Sequence, residues 1–448
     1  MRVRFWGTRG SIAVPGPGTV GFGGNTSCVE LTTSAGGCFI FDCGTGARPL
    51  GGKLLAQASK PITATILLSH THWDHIQGFP FFAPLFIPGS QITVCGPQER
   101  GRPLRDVLAG QMDFTYFPLE IGQLPATITF RELGEGTYEM GGARIVVQYL
   151  HHPATTLGYR IEADGAAVVY ACDHEPFSET LWHDKPALNR AESIVHEGDR
   201  RHARFMAGAD MVIHDAQYTP EEYPAKKTWG HSTFEYAVGL AAAAEVPHLL
   251  LTHHDPAHDD AFVEKIHKRA RGYAEQLGSA LRVSCAYEGL ELPVEPRGIS
   301  QPAAAPLPLP GRDTLRRSHV LIVDDDPDIR ALARHALSQA GHVVLEASGG
   351  REALALIEAQ VPDLLLLDLL MPEPGGLEIL KVLRSRPATA ALPIVVLTAL
   401  DDEVNTRSAF ELGATDYLTK PFSIPQLAAR VRACLARTGL AFDVDRVR

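Results

Sequence analysis

Residues 69–75 read Ser-His-Thr-His-Trp-Asp-His, which places three imidazoles and a carboxylate within six residues, directly after the apolar run Ala64-Thr65-Ile66-Leu67-Leu68. Imidazole nitrogen and carboxylate oxygen at this density are the donors of a divalent transition metal. Zn²⁺ accepts the mixture, and Mn²⁺ or Fe²⁺ are alternatives. His70 and His72 stand at i and i+2, so on extended backbone both project to one side and can share an ion. Asp74 and His75 follow a bend and can face a second ion. An apolar run feeding a loop reads as a buried strand, and strand ends are where layered α/β folds set their sites.

The arrangement recurs along the chain. Residues 144–150 alternate as a strand and deliver His151-His152-Pro153. A hairpin over 157–161 and 167–170 ends in Ala171-Cys172-Asp173-His174-Glu175, with His174 and Glu175 expected in the outer shell or exposed. Met211-Val212-Ile213 ends in His214-Asp215, and Leu249-Leu250-Leu251-Thr252 ends in His253-His254-Asp255. Sixteen of the nineteen histidines precede residue 300, so the metal chemistry belongs to the first part of the chain.

The elements that must hold these groups are legible between them. Residues 3–6 read as a first strand, and 28–33 with 38–42 as a hairpin-like pair. The glycine-rich stretch 15–27 lacks the Gly-Lys-Ser/Thr of a phosphate loop and reads as a flexible loop near the site or a plain connector. Residues 78–140 carry Phe79, Phe81, Phe82, Phe86, Phe114, Tyr116 and Phe117, which read as core or pocket wall, none assigned to substrate. Trp229-Gly230-His231-Ser232-Thr233 precedes an alanine-rich helix over 234–244 that Ser232 or Thr233 can cap. A cap accounts for the hydroxyls but not for the histidine. His258-Asp259-Asp260 then starts an amphipathic helix to about residue 278, and strands over 283–287 and 291–294 close the unit.

Prolines 296, 302, 306, 308 and 310 lie among alanines, which describes an extended, semi-rigid tether. It divides the chain into a domain over 1–295, a linker over 296–317 and a second domain over 318–438. In the latter, an apolar strand ends in Asp324-Asp325-Asp326. Residues 364–367 end at Asp368, 394–397 at Thr398, and Asp416-Tyr417-Leu418-Thr419 at Lys420-Pro421. Strand and helix patterns alternate between these points, as in a doubly wound fold. Clustered carboxylates there bind Mg²⁺, which offsets the charge of a phosphoryl group.

The run over 70–75 matches the His-x-His-x-Asp-His signature of the metallo-β-lactamase superfamily. Residues 1 to about 295 resemble the branch containing ribonuclease Z and small-phosphodiester hydrolases. From about 318 onward the chain resembles the receiver domain of two-component response regulators. The two resemblances cover nearly the whole chain. They imply an α/β protein, an αββα metallo-β-lactamase sandwich followed by a doubly wound (βα)5 receiver domain.

The first resemblance implies that His70, His72 and His152 hold one ion, that Asp74, His75 and His253 hold a second, and that Asp173 bridges them. The His-Pro spacing favours His152 over His151, and register favours His253 over His254. Asp42 is then either a carboxylate that orients a ligand imidazole or a turn former. Asp74, His231 and Asp215 form the implied catalytic set, with His231 the general acid toward the leaving oxygen and Asp215 its partner. The alternative for His231 is an incidental side chain of a capping loop. Two ions about 4 Å apart lower the pKa of water and neutralise phosphate oxygens in an in-line displacement.

The second resemblance implies that Asp368 accepts a phosphoryl group. Asp324, Asp325, Asp368 and the Leu370 carbonyl then bind Mg²⁺, Thr398 and Lys420 contact phosphoryl oxygens, and Tyr417 is the switch aromatic. One departure is Met371-Pro372-Glu373-Pro374-Gly375-Gly376, where the family has Met-Pro-x-Met-Asp-Gly.

Composition bounds these expectations. The 448 residues are 45% hydrophobic and 21% charged, those of a soluble globular protein of two or three domains. A net charge of −11 argues against a general nucleic-acid binder, so a small or cyclic nucleotide-type phosphodiester is expected rather than tRNA. No apolar run spans a bilayer and the Met1 end lacks a signal-peptide core, so a cytoplasmic location without membrane partners is expected. Seven cysteines without a Cys-x-x-Cys pair fit reduced, buried thiols. No output module is expected after the second domain, so the output is expected to come from the metal domain or a partner protein. The expected partners are a cognate sensor histidine kinase and, as a further expectation, a second copy in a homodimer. Two other readings remain: a lactone or thioester hydrolase of the same fold, and a non-catalytic ligand-sensing or partner-binding module. The Gly-His-Ser-Thr element weighs against the first and the full ligand set against the second.

Overall fold

The computed structural model describes residues 1–57, 61–97, 102–178, 181, 193–296, 318–399, 405, 408–409, 412–422 and 424–436. The expected linker, apart from Pro296, and the last two residues of the expected second domain lie outside them. The chain divides into two compact units, Met1–Ala305 and Pro306–Arg448.

The first unit opens with β1 (Arg2–Gly7), in which Val3 and Phe5 are buried while Arg2 faces out, the period-2 pattern of a half-covered strand. β2 (Cys28–Thr32) and β3 (Cys38–Phe41) add antiparallel, as the hairpin reading expected. β4 (Thr63–Leu67), β5 (Gln91–Pro97) and β6 (Thr127–Leu133) then extend the sheet in parallel. A second sheet begins as an antiparallel meander of β7 (Gly136–Met140), β8 (Ala143–Tyr149), β9 (Leu157–Ala163) and β10 (Ala166–Ala171). It continues in parallel with β11 (Met211–Asp215), β12 (His248–Thr252) and β13 (Arg282–Cys285). β14 (Glu291–Pro293) returns to the first sheet and pairs with β1.

Three cores show the layering. Phe39, Phe41 and Leu67 of the first sheet meet Tyr159, Ile161, Tyr170, Ile213 and Leu250 of the second. On the outer face of the first sheet, Ile40 and Ile66 pack against α1 (Ala47–Gln57), Ile76 of α2 (Trp73–Ile76) and α3 (Leu104–Gln111). On the outer face of the second, Val169, Val212, Leu249 and Leu251 pack against α4 (Glu197–Met206), α5 (Phe234–Ala243) and α6 (Asp260–Gln276). Ile40 points one way and Phe39 and Phe41 the other, so the near-continuous apolar runs of these strands are buried on both faces. The result is the αββα sandwich.

Local chemistry sets the helix starts. Thr233, not Ser232, caps α5 by accepting from the Tyr236 N–H at 3.2 Å. Asp259 caps α6 at 2.8 Å from the Phe262 N–H, so the helix begins two residues after His258. The glycine-rich stretch is no free loop: the Gly21 and Phe22 N–H groups donate to the Asp260 carboxylate and Asn25 binds Glu288.

The second unit alternates β15 (His319–Val323), α7 (Pro327–Gln339), β16 (Val343–Ala347), α8 (Gly350–Ala359), β17 (Leu364–Asp368), α9 (Gly376–Ser385), β18 (Ile394–Ala399), β19 (Asp416–Lys420) and α10 (Ile424–Ala436). The five strands are parallel in the order β16-β15-β17-β18-β19. The order reverses between β15 and β17, and Asp324 and Asp368 stand at the carboxyl ends there.

Gly78 shows how tightly α2 is seated. Its N–H donates to the Cys43 carbonyl at 2.9 Å, and a Cβ would lie 1.8 Å from the Gly44 carbonyl oxygen. Gly78→Ala is expected to destabilise the unit by about 3 kcal/mol, the upper part of the overpacking range. A drop in the urea unfolding midpoint checks this.

Candidate functional site

Both sheets of the first unit aim the ends of their strands at one place. His70 and His72 follow β4, and the single turn of α2 presents Asp74 and His75. His152 follows β8, Asp173 follows β10, Asp215 ends β11 and His253 follows β12. Asp42, Asp173 and His253 adopt left-handed backbone, with φ of 57°, 61° and 62°. Such turns re-aim a side chain immediately after its strand and cost about 1–2 kcal/mol per non-glycine residue, which their packed surroundings must hold.

The donor atoms form two groups. His70, His72, His152 and Asp173 make one, and Asp74, His75 and His253 the other; within each, every offered atom lies within 4.8 Å of the rest. The His152 Nε2 is 3.3 Å from the His72 Nδ1, and the His253 Nε2 is 3.2 Å from both Asp74 Oδ2 and Asp173 Oδ1. Asp173 Oδ2 lies 3.5 Å from the His70 Nε2, and Oδ1 lies 3.4 Å from the His75 Nε2. All but His72 are buried. His70 Nε2, His75 Nε2 and Asp173 Oδ1 are buried without a hydrogen-bond partner. Buried donors cannot be left so without cost, and converging nitrogen and oxygen lone pairs of this kind fit a divalent cation.

The far nitrogen of most of these rings is pinned. His75 Nδ1 donates to Asp42 at 2.8 Å, His152 Nδ1 to the Gly230 carbonyl at 2.9 Å, and His253 Nδ1 to Gln217 Oε1 at 2.8 Å. Each bond fixes a proton on Nδ1 and turns Nε2 inward as the atom that a cation would take. Asp42 also accepts from the Ser69 N–H and hydroxyl and from the Tyr170 hydroxyl at 2.6 Å, so it is the orienting carboxylate of the two readings. Asp74 accepts from the Ser11 N–H at 2.7 Å. Burial lowers His70 and His72 and takes His152 down to about 3, which keeps them neutral. Burial opposes charge on His75 too, but Asp74, Asp173 and Asp42 overcome it and carry its pKa well above the usual value. Against the same burial, His75 and His253 hold Asp74 well below the carboxylate range, and His253, His75 and His231 do so for Asp173.

His231 stands beside the cluster. Its Nδ1 is 3.2 Å from Asp215 Oδ2 and 3.9 Å from Asp173 Oδ2, and its ring stacks on His253 at 4.9 Å. Burial works against its charge, but Asp215 and Asp173 outweigh it and raise the imidazole to about 9. It therefore carries a proton near neutral pH, the state a general acid needs.

The two unresolved pairs separate in space. His151 binds the Glu175 carbonyl and stacks on Phe177 at 4.0 Å, outside the donor groups. His254 binds the Ala286 carbonyl at 2.9 Å, also outside them. His174 and Glu175, expected in the outer shell or exposed, are both buried. His174 bonds Tyr236 at 3.0 Å, whereas Glu175 collects the Thr228 and Gly230 N–H groups. Gln217, Ser11 and Tyr170 were not legible as site residues, since no local motif announces a partner distant in sequence, whereas Glu175 had been expected in the outer shell or exposed. For Gly230 the Gly-His-Ser-Thr element was the available signal.

In the second unit, Asp324, Asp325 and Asp368 form a further group of mutually close carboxylates. Lys420 Nζ lies 2.7 Å from Asp324 and 2.9 Å from Asp368. The Leu370 N–H donates to Asp368 at 3.2 Å, Thr398 is buried at the end of β18, and Tyr417 is half-buried with the Arg430 guanidinium 6.0 Å from its ring. Three carboxylates against one ammonium leave room for a hard cation.

Comparison with known proteins bears on both units. Residues 38–254 match the beta-lactamase superfamily domain and residues 320–432 the response regulator receiver domain. The phosphate regulon transcriptional regulatory protein PhoB of Pseudomonas aeruginosa is 44% identical over 120 residues, 27% of this chain and 52% of that protein. The chain spans about half the length of the curated relatives it matches. Among solved structures, the metallo-beta-lactamase fold protein YhfI of Bacillus subtilis is 17% identical, covering 65% of this chain and 99% of that one, with a TM-score of 0.46. The short form of human tRNase Z is 19% identical over 66% of this chain and 100% of that one, with a TM-score of 0.44. No helix among the described residues is long and apolar enough to cross a membrane.

These charges fix a pH response for the metal-free chain. His70, His72, His152, His202, His214 and His254 have lowered pKa values, so below about 6.5 the unfolded state takes up protons that the folded state refuses. Stability is then lost as pH falls. His75 and His231 are raised, and their stabilisation is lost as pH rises through their folded values, about 9 for His231. With chelator present, the melting temperature is expected to be highest near pH 6.5, to fall as the pH drops below it and to decline again as the pH rises from there through about 9, as thermal scans across pH would show.

Proposed function

Because the chain carries a beta-lactamase superfamily domain joined to a response regulator receiver domain, we propose that it is a metal-dependent phosphodiesterase acting on a small or cyclic nucleotide-type substrate, controlled by phosphorylation of Asp368. The observation that carries the enzymatic reading is the pairing of a buried, cation-demanding donor set with a protonated His231 held by Asp215 at its edge. Two divalent cations, such as Zn²⁺, Mn²⁺ or Fe²⁺, held by His70, His72 and His152 and by Asp74, His75 and His253, with Asp173 between, would activate water and neutralise phosphoryl oxygens.

The side chains divide the remaining work. Asp173 balances the imidazoles of both groups, and Asp74 is oriented by the Ser11 N–H. His231 is fixed at Nδ1 by Asp215, so its other ring proton, at Nε2, is available to the departing oxygen. An alkoxide leaving group needs that proton, whereas the thiolate of a thioester does not, which favours the phosphodiester over the thioester reading. In the second unit, Asp368 receives the phosphoryl group from a histidine kinase. Asp324, Asp325 and the Leu370 carbonyl would hold Mg²⁺, which together with Lys420 and Thr398 would offset its charge, and Tyr417 responds.

Hydrolysis of bis-p-nitrophenyl phosphate by the metal-loaded chain tests the activity itself. His231→Ala is expected to lower turnover of a diester with a poor alkoxide leaving group by about 10²–10⁴-fold, and to cost far less with nitrophenolate, which departs without protonation. Equal losses on both substrates remove His231 from the chemistry. Acetyl phosphate is expected to change the rate of the wild-type chain by about 5- to 150-fold and to leave Asp368→Ala unaffected. Assays of the two chains side by side, with and without the phosphodonor, check this.

A further inference from the structure

Residues 228–232 bring Gly230 and His231 to the metal centre, yet they belong to no strand or helix. They lie between a 3₁₀ turn at Tyr223–Ala225 and the start of α5. Their backbone is strained, with φ of 71° at Thr228 and 91° at Gly230; the first is an outlier for a β-branched residue. Such a segment keeps its shape only if something outside it holds it.

One buried carboxylate does so. Glu175 Oε1 accepts from the Thr228 N–H at 2.6 Å and the Tyr223 hydroxyl at 3.1 Å, and its Oε2 accepts from the Gly230 N–H at 3.0 Å. At the far end of the loop, the Ser232 hydroxyl donates to the His174 carbonyl and its N–H to Asp215 at 3.2 Å. The Gly230 carbonyl in turn accepts the Nδ1 proton of His152 at 2.9 Å. The fit is close, since a Cβ on Gly230 would lie 2.1 Å from that nitrogen. The path therefore runs from the Glu175 carboxylate through Gly230 to the ring of His152, and the next residue along the loop is His231.

We propose that Glu175 is a positioning residue that clamps this loop, and through it sets both the orientation of His152 toward its cation and the placement of His231. The claim about His231 rests on the phosphodiesterase reading; the claim about His152 does not. A carboxylate is needed because donors approach both of its oxygens. A glutamine in its place has one accepting atom and turns an NH₂ toward a backbone or hydroxyl donor.

The test uses the full-length chain. Zn²⁺ affinity is measured by competition with a chromophoric chelator, alongside the ratio of rates on alkoxide- and nitrophenolate-leaving diesters. Glu175→Gln is expected to fold with a lowered thermal midpoint, to bind one Zn²⁺ equivalent about 10- to 100-fold more weakly, and to lose rate selectively on the alkoxide substrate. Gly230→Ala, whose Cβ would press directly on the His152 ring, is expected to weaken Zn²⁺ as well and serves as the positive control for a displaced His152. A folded Glu175→Gln with wild-type Zn²⁺ affinity overturns the clamp. Weakened Zn²⁺ with an unchanged leaving-group ratio overturns the claim on His231 alone. The competition needs no turnover, so it reports on the clamp even if no phosphodiester is hydrolysed. Should Glu175→Gln not fold, Tyr223→Phe removes one donor and spares the carboxylate. The same shifts, smaller, are then expected, and none at all overturns the proposal.

Discussion

The carboxylate of Asp173 is the constraint around which the first unit is arranged. It is buried at the end of a central strand, on left-handed backbone, with imidazole nitrogens of His253, His75, His70, His152 and His231 between 3.2 and 3.9 Å away. A buried charge is tolerated only when it is paired, and here the pairing is shared among rings that arrive from four separate parts of the chain. The two sheets must therefore present their strand ends to one point. The inter-sheet core of Phe39, Phe41, Tyr159, Tyr170 and Leu250 holds them in that relation.

Around this point the protein spends its polar groups on fixing tautomers. Asp42, Gln217 and the Gly230 carbonyl each take an Nδ1 proton, from His75, His253 and His152 in turn. The inner shell is then a set of lone pairs whose directions are decided one layer further out. Asp42 shows how far this goes, since Ser69 and Tyr170 hold it from two different sheets. A substitution in that outer layer acts on the two donor groups without touching them.

The second unit meets the same problem with a different answer. Asp324 and Asp368 also stand at strand ends, but the balancing charge is the Lys420 ammonium within 2.9 Å of both. The site is partly open to solvent on one side, where Asp325 and Leu370 are exposed. A hydrated, hard cation suits such a place, as neutral imidazoles in a dry cleft suit a transition metal.

Sequence alone determined the features that repeat locally. Apolar runs ending in histidine, aspartate or, for β18, threonine located β4, β8, β10, β11, β12, β15, β17 and β18 together with most members of the two donor groups, because a strand's burial and its end are written in consecutive residues. Between residues 78 and 140 no such marker exists, and β5, α3, β6 and β7 went unread there; proline, glycine and aromatics do not state a period. Only the tertiary structure decided between His151 and His152 and between His253 and His254. The two members of each pair lie just past a strand end, and which of them faces the centre depends on the turn there and on how the two sheets stack. Asp42, Gln217 and Glu175 were settled by the fold for a related reason. Their partners lie 33, 36 and 53 to 55 residues away, and a hydrogen bond across such a distance leaves no mark on local spacing.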